Sequence, residues 1–262
     1  MVLITGASSG IGAGLAREFV SQGASVALLA RRAERLRTLA AEIRAAGGHA
    51  LAIPCDVTRE GDLERAVALT VAGLGPIDVV VANAGFAVAG PFKKLRLDDY
   101  RRQFETNLFG VLRTVYATID ELMRSRGTLV IIGSVSGHIS TPGNSPYAMS
   151  KHAVRAYAEA LRVELAPQGV AVVLITPGFV DSEIRRLDNR GRLHPDAPDS
   201  VPAWLRMPTE RAARQIARAT ARRRREKIVT LHGKLAVFLQ RHAAWLVRRV
   251  TRRGTPRGWS AS

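Results

Sequence analysis

Val2-Leu3-Ile4-Thr5-Gly6-Ala7-Ser8-Ser9-Gly10-Ile11-Gly12 opens the chain, and Leu15, Phe19 and Val20 follow at helical spacing. A short apolar run, a glycine loop and an amphipathic helix in this order form the first half of a βαβ unit. The glycines let the loop backbone approach a phosphate group, and the helix behind them offers N–H donors and a positive dipole end. A tight strand-to-helix turn with no ligand would use the same glycines, so the motif alone leaves both readings open. The first strand begins almost at Met1, which leaves room for a natural start upstream.

Outward from this unit, apolar runs of strand length recur at 25–30, 51–53, 78–82, 129–132, 170–176 and 228–230. Helical patterns separate them: about 33–46, from Asp56-Val57-Thr58 onward with an Asp or Thr cap, 98–123, 147–165, and from Pro208 or Thr209 to the Arg222–Arg225 run. Strands alternating with helices predict an α/β fold with a parallel sheet, and the 78–82 run, apolar after Asp78, suits a central strand. Arg31 and Arg32 end the second strand. An acid at this point, about 20 residues after the glycines, would hold a ribose 2′-hydroxyl. Guanidiniums in its place suit a 2′-phosphate by charge and geometry, although both could simply begin a solvated helix. Asp56 could reach an adenine amino group or serve only as a cap. Asn107 stands inside the 98–123 helix, where its side chain competes for backbone hydrogen bonds, so a polar task is expected of it.

The stretch Ser134-Val135-Ser136-Gly137-His138-Ile139-Ser140-Thr141-Pro142-Gly143-Asn144-Ser145-Pro146-Tyr147-Ala148-Met149-Ser150-Lys151 follows the fifth strand. It delivers a hydroxyl from a strand end and places a phenol and an ammonium at i and i+4 on one helix face. That pair alone is more often a solvated face. Residues 138–146 are expected to form one wall of a pocket. After the sixth strand, Pro177-Gly178 leads into a segment to Met207 rich in Pro, Gly, Asp and Arg, with Ile184, Leu187, Leu193, Val201, Trp204 and Leu205 interspersed. An irregular segment this long reads as a partly helical lid over residues 178–208.

These parts together resemble the short-chain dehydrogenase/reductase family over residues 2 to about 230. Thr5-Gly6-x-x-x-Gly10-x-Gly12 has the spacing of its compact single-domain branch, Asn83-Ala84-Gly85 matches its fourth-strand signature, and Ser134, Tyr147 and Lys151 match its catalytic serine and Tyr-x-x-x-Lys. Asn107 matches the fourth catalytic member, and Pro177-Gly178 the motif beside the nicotinamide. Ala82 stands where Asn is usual, and Ser182 where Thr often meets the cofactor phosphate. The resemblance implies a Rossmann-type doubly wound sheet of about seven strands in the order 3-2-1-4-5-6-7, helices on both faces, and a catalytic domain spanning 1–231. It also implies a cofactor groove of Gly6, Ser8, Ser9, Gly10, Ile11, Gly12, Arg31, Arg32, Asp56, Val57, Asn83, Ala84, Gly85, Tyr147, Lys151, Pro177, Gly178, Val180 and Ser182. NADP(H) is expected over NAD(H). In reduction Tyr147 gives a proton to a carbonyl oxygen, Lys151 lowers the phenol pKa, Ser134 bonds the substrate oxygen and Asn107 holds a relay water. The rival class is a scaffold or cofactor sensor that kept the fold and lost catalysis. Such proteins commonly lack the Tyr or the Lys.

Composition sets the outer limits. No run of about 18 apolar residues suggests a spanning helix, no signal peptide pattern opens the chain, and Cys55, the one cysteine, reads as a small buried hydrophobe in a reducing cytoplasm. The net charge is +17, and residues 211–262 hold 15 Lys and Arg against the single acid Glu226. Within the 232–262 extension, Leu235, Phe238, Leu239, Trp245, Leu246 and Val250 fall near one helical face, with Lys234, Arg241, Arg248, Arg249, Arg252 and Arg253 largely on another. This suits an amphipathic helix over 232–253 on an anionic membrane surface. A terminal helix packed on its own domain or on a second subunit is the alternative. Nucleic acid is disfavoured because no reading helix or stacking platform is apparent. The resemblance adds a small carbonyl or alcohol substrate, which an apolar lid inclines towards lipid-like, and a homodimer or homotetramer. Localisation is expected to be cytoplasmic, peripheral at the membrane if the tail binds it.

Overall fold

The computed structural model describes residues 1–253. Its seven-stranded sheet comprises β1 (Val2–Thr5), β2 (Val26–Ala30), β3 (Ala50–Pro54), β4 (Val79–Ala82), β5 (Thr128–Ile132), β6 (Ala171–Thr176) and β7 (Glu226–Ile228). All pairings are parallel and the order is β3-β2-β1-β4-β5-β6-β7. Apart from the edge strand β7, Glu-Lys-Ile, the strands are mostly apolar because both sheet faces are covered, and successive residues divide between two cores. Val2, Ile4, Val26, Leu28, Val130, Val173 and Ile175 join one core with helices α1 (Gly10–Ser21), α2 (Ala33–Ala45) and α7 (Thr209–Ala221). Leu3, Ala27, Leu29, Val80, Leu129, Val172 and Leu174 join the other with α3 (Asp62–Leu74), α5 (Gly110–Ser125) and α6 (Ser145–Glu164).

Several sequence expectations shift. The helix expected from Asp56 begins only at Asp62. Asp56 spends its Oδ1 on a local turn, accepting from the Thr58 N–H at 3.0 Å and the Thr58 hydroxyl at 2.8 Å, and this turn takes the place of a helix cap. The 98–123 helix is three pieces: α4 (Leu97–Phe104), a π-helical turn Glu105–Phe109, and α5. Wide turns of this kind mark functional sites, and here the turn buries Asn107 completely. The Arg222–Arg225 run lies beyond α7, where Arg223 turns left-handed at φ 46 and closes the helix end by donating its N–H to the Thr220 carbonyl. Strand β7 precedes the expected 228–230, because Thr230 leaves the sheet to cap α8 (Leu231–His242), its Oγ1 accepting from the Gly233 N–H.

The tail is two helices, α8 and α9 (Ala244–Arg253), and not one continuous amphipathic rod. Ala243 leaves helical dihedrals at φ −141, ψ 49. No local breaker stands there. Instead α8 is committed to the domain: Gly233 and Val237 are buried, and Arg241 bonds Glu226 at 3.2 Å. Glu226 also takes bonds from His138 at 2.9 Å and from the Thr176 hydroxyl at 3.0 Å. The hydrogen bond from His138, above all, holds its carboxyl down at about 2. Residues 254–262 of the predicted extension lie outside the described residues.

Strand order reverses between β1 and β4, the position where the carboxyl ends of an open sheet part and leave a crevice. Thr5 and Asn83 clasp the two strand ends there. Thr5 Oγ1 accepts from the N–H groups of Asn83 and Ala84 at 3.0 and 3.1 Å, and Asn83 Nδ2 donates to the carbonyls of Thr5 and Gly6 at 2.9 and 3.2 Å. Thr5→Val keeps the shape but leaves both backbone N–H groups unpaired, so urea unfolding should show a loss of about 1–3 kcal/mol. An unchanged midpoint would show that the clasp adds nothing to stability.

Candidate active site

A cavity of about 650 Å³ opens at the carboxyl ends of β1, β4, β5 and β6, within the size range of small-molecule sites. The glycine loop lines one end. Gly6 (φ 66) and Gly10 (φ 50) hold left-handed backbone, which residues with a Cβ rarely adopt. Ser9 stands at the N-cap of α1 yet makes no side-chain cap bond to the helix. Its hydroxyl accepts from Arg32 Nη2 at 2.7 Å. The first turn of α1 is thus left without a side-chain acceptor, the arrangement that receives phosphate. Gly12, expected among the cofactor contacts, does not line the cavity. A Cβ there would lie 2.4 Å from the Gly6 carbonyl oxygen and 2.7 Å from Asn83 Nδ2, so its place is against the clasp behind the loop.

All other predicted cofactor residues border the cavity: Gly6, Ser8, Ser9, Gly10 and Ile11 on the loop, Arg31 and Arg32 after β2, Asp56 and Val57 after β3, and Asn83, Ala84 and Gly85 after β4. Tyr147, Lys151, Pro177, Gly178, Val180 and Ser182 border it on the other side. Arg32 Nε and Nη2 reach Ser8 Oγ at 3.1 and 3.0 Å, which draws that guanidinium against the loop. An uncapped helix start, a glycine cradle and guanidiniums at the end of β2 fit a dinucleotide carrying phosphate at both places.

The four catalytic candidates come from three elements, Asn107 from the π-helical turn, Ser134 from the end of β5 and both Tyr147 and Lys151 from α6, and all border the cavity. Ser134 caps a turn at Val135–Gly137, its Oγ accepting from the Ser136 N–H at 3.1 Å, so its own proton stays available to donate. Lys151 is buried in α6 and its Nζ donates to the Ile132 carbonyl at 2.7 Å, standing 5.8 Å from the centre of the Tyr147 ring. Burial alone pulls the Lys151 ammonium down to about 8. Tyr147 departs from expectation: its phenol is raised above the ordinary value. Burial dominates, opposed by hydrogen bonding from Ser134 and by the charge of Arg185.

Asn107 Oδ1 accepts from the Phe86 N–H at 3.0 Å, and its Nδ2 donates to the Phe86 carbonyl at 3.0 Å and to Ser150 Oγ at 3.3 Å. Both amide hydrogens are committed to protein partners, so the side chain holds the chain after β4 in place. Gln103 reinforces it, donating to the Phe86 carbonyl and accepting from the Val88 N–H at 2.6 Å. Residues 138–146 do not line the cavity, contrary to the expected wall. His138 is turned inward on Glu226. The segment after β6 lines it instead, through Glu183, Ile184, Arg185, Leu187, Arg192 and Leu193. Arg185 pairs with Asp199 at 2.6 and 2.8 Å. The sequence signals neither Glu183 nor Arg185, because both stand in an irregular segment with no period. Cys55 also borders the cavity, its thiol pushed up to about 12 by burial and hence inert. Among the described residues no cluster of His, Cys, Asp or Glu could hold a metal.

Comparison with known proteins places this geometry. A sequence profile described as short chain dehydrogenase matches residues 1–192. A serine 3-dehydrogenase of Agrobacterium fabrum is 37% identical over 183 residues, 70% of this chain and 72% of that protein. A short-chain dehydrogenase from Sphingobium yanoikuyae, solved in complex with NADPH, superposes with a TM-score of 0.76 at 30% identity, covering 98% of this chain and 96% of that one. A short chain dehydrogenase/reductase from Burkholderia phymatum, solved with NAD, gives a TM-score of 0.83 over 94% of each chain; at 23% identity that likeness speaks to the fold. The chain belongs to the short-chain dehydrogenase/reductase family, nicotinamide-dependent oxidoreductases of alcohol and carbonyl groups.

Proposed function

We propose that this protein interconverts a secondary alcohol and a ketone, or a primary alcohol and an aldehyde, using NADP(H), with Tyr147 as the general acid and base. The observation that carries the reading is the buried Lys151 ammonium fixed on the Ile132 carbonyl at 2.7 Å under the Tyr147 ring, with Ser134 at the adjoining strand end. When bound, the nicotinamide supplies or accepts the hydride. In reduction the Tyr147 hydroxyl gives its proton to the substrate oxygen as that oxygen gains charge, and Ser134 donates a hydrogen bond to the same oxygen. The phenolate left behind lies near the Lys151 charge, which stabilises it. Oxidation runs the same transfers backwards. Burial makes neutral Tyr147 the resting form, so reduction starts from the proton donor already in place. The NADP(H) preference rests on Arg31 and Arg32 after β2, where no acid stands to take a ribose hydroxyl.

An assay against ketones and aldehydes of graded chain length tests activity and substrate class together. Tyr147→Phe should lower kcat for reduction by roughly a thousandfold while retaining cofactor binding, the scale expected when a general acid is removed. Turnover near that of the wild type would reject the role, and no turnover in the wild type against any carbonyl would favour the scaffold reading. The pH profile is a separate check. Lys151 loses its charge as pH rises through about 8, and with it the stabilisation of the phenolate, so kcat should fall above that pH in both directions. Lys151→Met should abolish the alkaline fall in reduction.

The tail supports a second element of the reading, attachment to an anionic membrane surface. Leu231, Leu235, Phe238, Trp245 and Val250 are exposed apolar side chains on α8 and α9, in a region carrying 15 Lys and Arg against one acid. No described helix is long and apolar enough to cross a membrane, so the contact would be interfacial. Helix α8 begins beside the cavity, where the Phe179 N–H donates to His232 Nε2 at 3.0 Å and the rings stack. A bilayer against α8 would thus bring lipid-like substrates to the site. Because α8 also packs on the domain, point changes are better probes than deletion. Leu235→Glu with Trp245→Glu should abolish co-sedimentation with phosphatidylserine vesicles, whereas equal sedimentation of variant and wild type would remove the membrane from the proposal.

A further inference from the structure

Glu183 stands just past Ser182 on the segment that borders the cavity, and its carboxylate is held by the α2 end of the groove. Oε2 accepts from Arg32 Nη1 at 2.9 Å, and Arg35 Nη1 donates to Oε1 at 2.6 Å and to Oε2 at 2.8 Å. Arg32 is the same guanidinium that grips Ser8 and Ser9 of the glycine loop. Partial burial works against the charge on Glu183, but the bonds from Arg35 and Arg32 outweigh it and keep the carboxyl below its usual range. The neighbouring contact is also close: a Cβ on Gly10 would lie 3.0 Å from Ser182 Cβ. The segment therefore lies directly on the phosphate end of the groove, and it presents an anion to the cations there.

To an arginine fork, a carboxylate and a phosphate monoester are alternative occupants. We propose that Glu183 sets the cofactor specificity of this site: it occupies the guanidiniums that a 2′-phosphate would use, so NADP(H) must displace it and NAD(H) need not. The inference rests on the reading of Arg31 and Arg32 as the 2′-phosphate site. With the three side chains 29–42% exposed, the internal pairs are individually weak, and a phosphate dianion carries more charge than the carboxylate, so displacement is feasible. Its consequence extends to the substrate. Ile184, Arg185 and Leu187 follow Glu183 directly and line the cavity, and the Arg185 charge acts on the Tyr147 phenol. Displacing Glu183 moves the start of that run, so the two cofactors would present different substrate pockets.

Calorimetric titration of the full-length protein with adenosine 2′,5′-bisphosphate and with 5′-AMP separates the possibilities without recourse to turnover. Glu183→Gln, which keeps an acceptor but removes the charge, should tighten the bisphosphate roughly five- to tenfold at low salt and leave 5′-AMP within about twofold, the gain shrinking as salt is added. Arg32→Gln should weaken the bisphosphate selectively. If Arg32→Gln leaves the ratio of the two affinities unchanged, the 2′-phosphate reading is itself wrong. If Arg32→Gln lowers that ratio but Glu183→Gln leaves it unchanged or lowers it too, the phosphate site stands and the competitive role of Glu183 is overturned.

Discussion

The clasp between Thr5 and Asn83 is the constraint on which the site depends. Parallel strands that diverge in order leave their carboxyl ends apart, and backbone N–H groups there would otherwise lose their ladder partners. Thr5 Oγ1 and the Asn83 amide supply those partners across the gap. Gly12 then packs its α-carbon against the same carbonyl that Asn83 bonds, which fixes the glycine loop to β4 as well as to β1. The loop that would meet a phosphate and the strand end that would flank the ring are thus one rigid unit. Asn107 and Gln103 continue it by holding Phe86 and Val88, so the π-helical turn serves the crevice wall from the far side.

Within this frame the Tyr147 and Lys151 pair is an electrostatic compromise. A phenol shielded from water is a poorer acid than one in water, and Tyr147 follows that rule. Burial also weakens Lys151 as a cation, yet at about 8 it retains its proton at neutral pH. The Ile132 carbonyl orients the ammonium at a strand end and satisfies one of its hydrogens. The protein thereby keeps a proton on the phenol and a positive charge nearby for the moment the proton leaves. Charge held where it will be needed costs no reorganisation during reaction.

What the sequence discloses depends on whether a residue acts through period or through contact. The strands and the places of Ser134, Tyr147 and Lys151 are legible because they sit in regular elements at fixed spacing, whereas the strand order follows only from the family resemblance. Asn107 stands out because an Asn is unfavourable inside a helix, but its partner Phe86 does not, so its task as a brace emerges only in three dimensions. The Asp56 turn and the Thr230 cap moved element boundaries because side-chain bonds competed with helix and strand over a few residues. The break at Ala243 was hidden altogether, since no residue there disfavours a helix; it follows from the commitment of α8 to Glu226 and the sheet. Glu226 looked like a stray acid in a basic tail and is the point to which that tail is tied.

The segment after β6 is the part of the chain in which charge, not hydrophobic period, decides position. Arg185 and Arg206 share Asp199, Arg206 also reaches Asp181, and Asn189 exchanges two backbone bonds with Ala89 across the cavity mouth. The pairs around Asp199 are largely buried, whereas those that Glu183 makes with Arg32 and Arg35 are 29–42% exposed and contribute little each, so the Glu183 end of the stretch is the part most easily displaced. On the proposed displacement, a 2′-phosphate would loosen the Glu183 pairs and, through the shared backbone, shift Arg185 beside Tyr147. A segment end buried in the apolar core would resist such a change. Held by ionic contacts instead, this end of the stretch would, on that proposal, carry the difference between the cofactors to the substrate pocket.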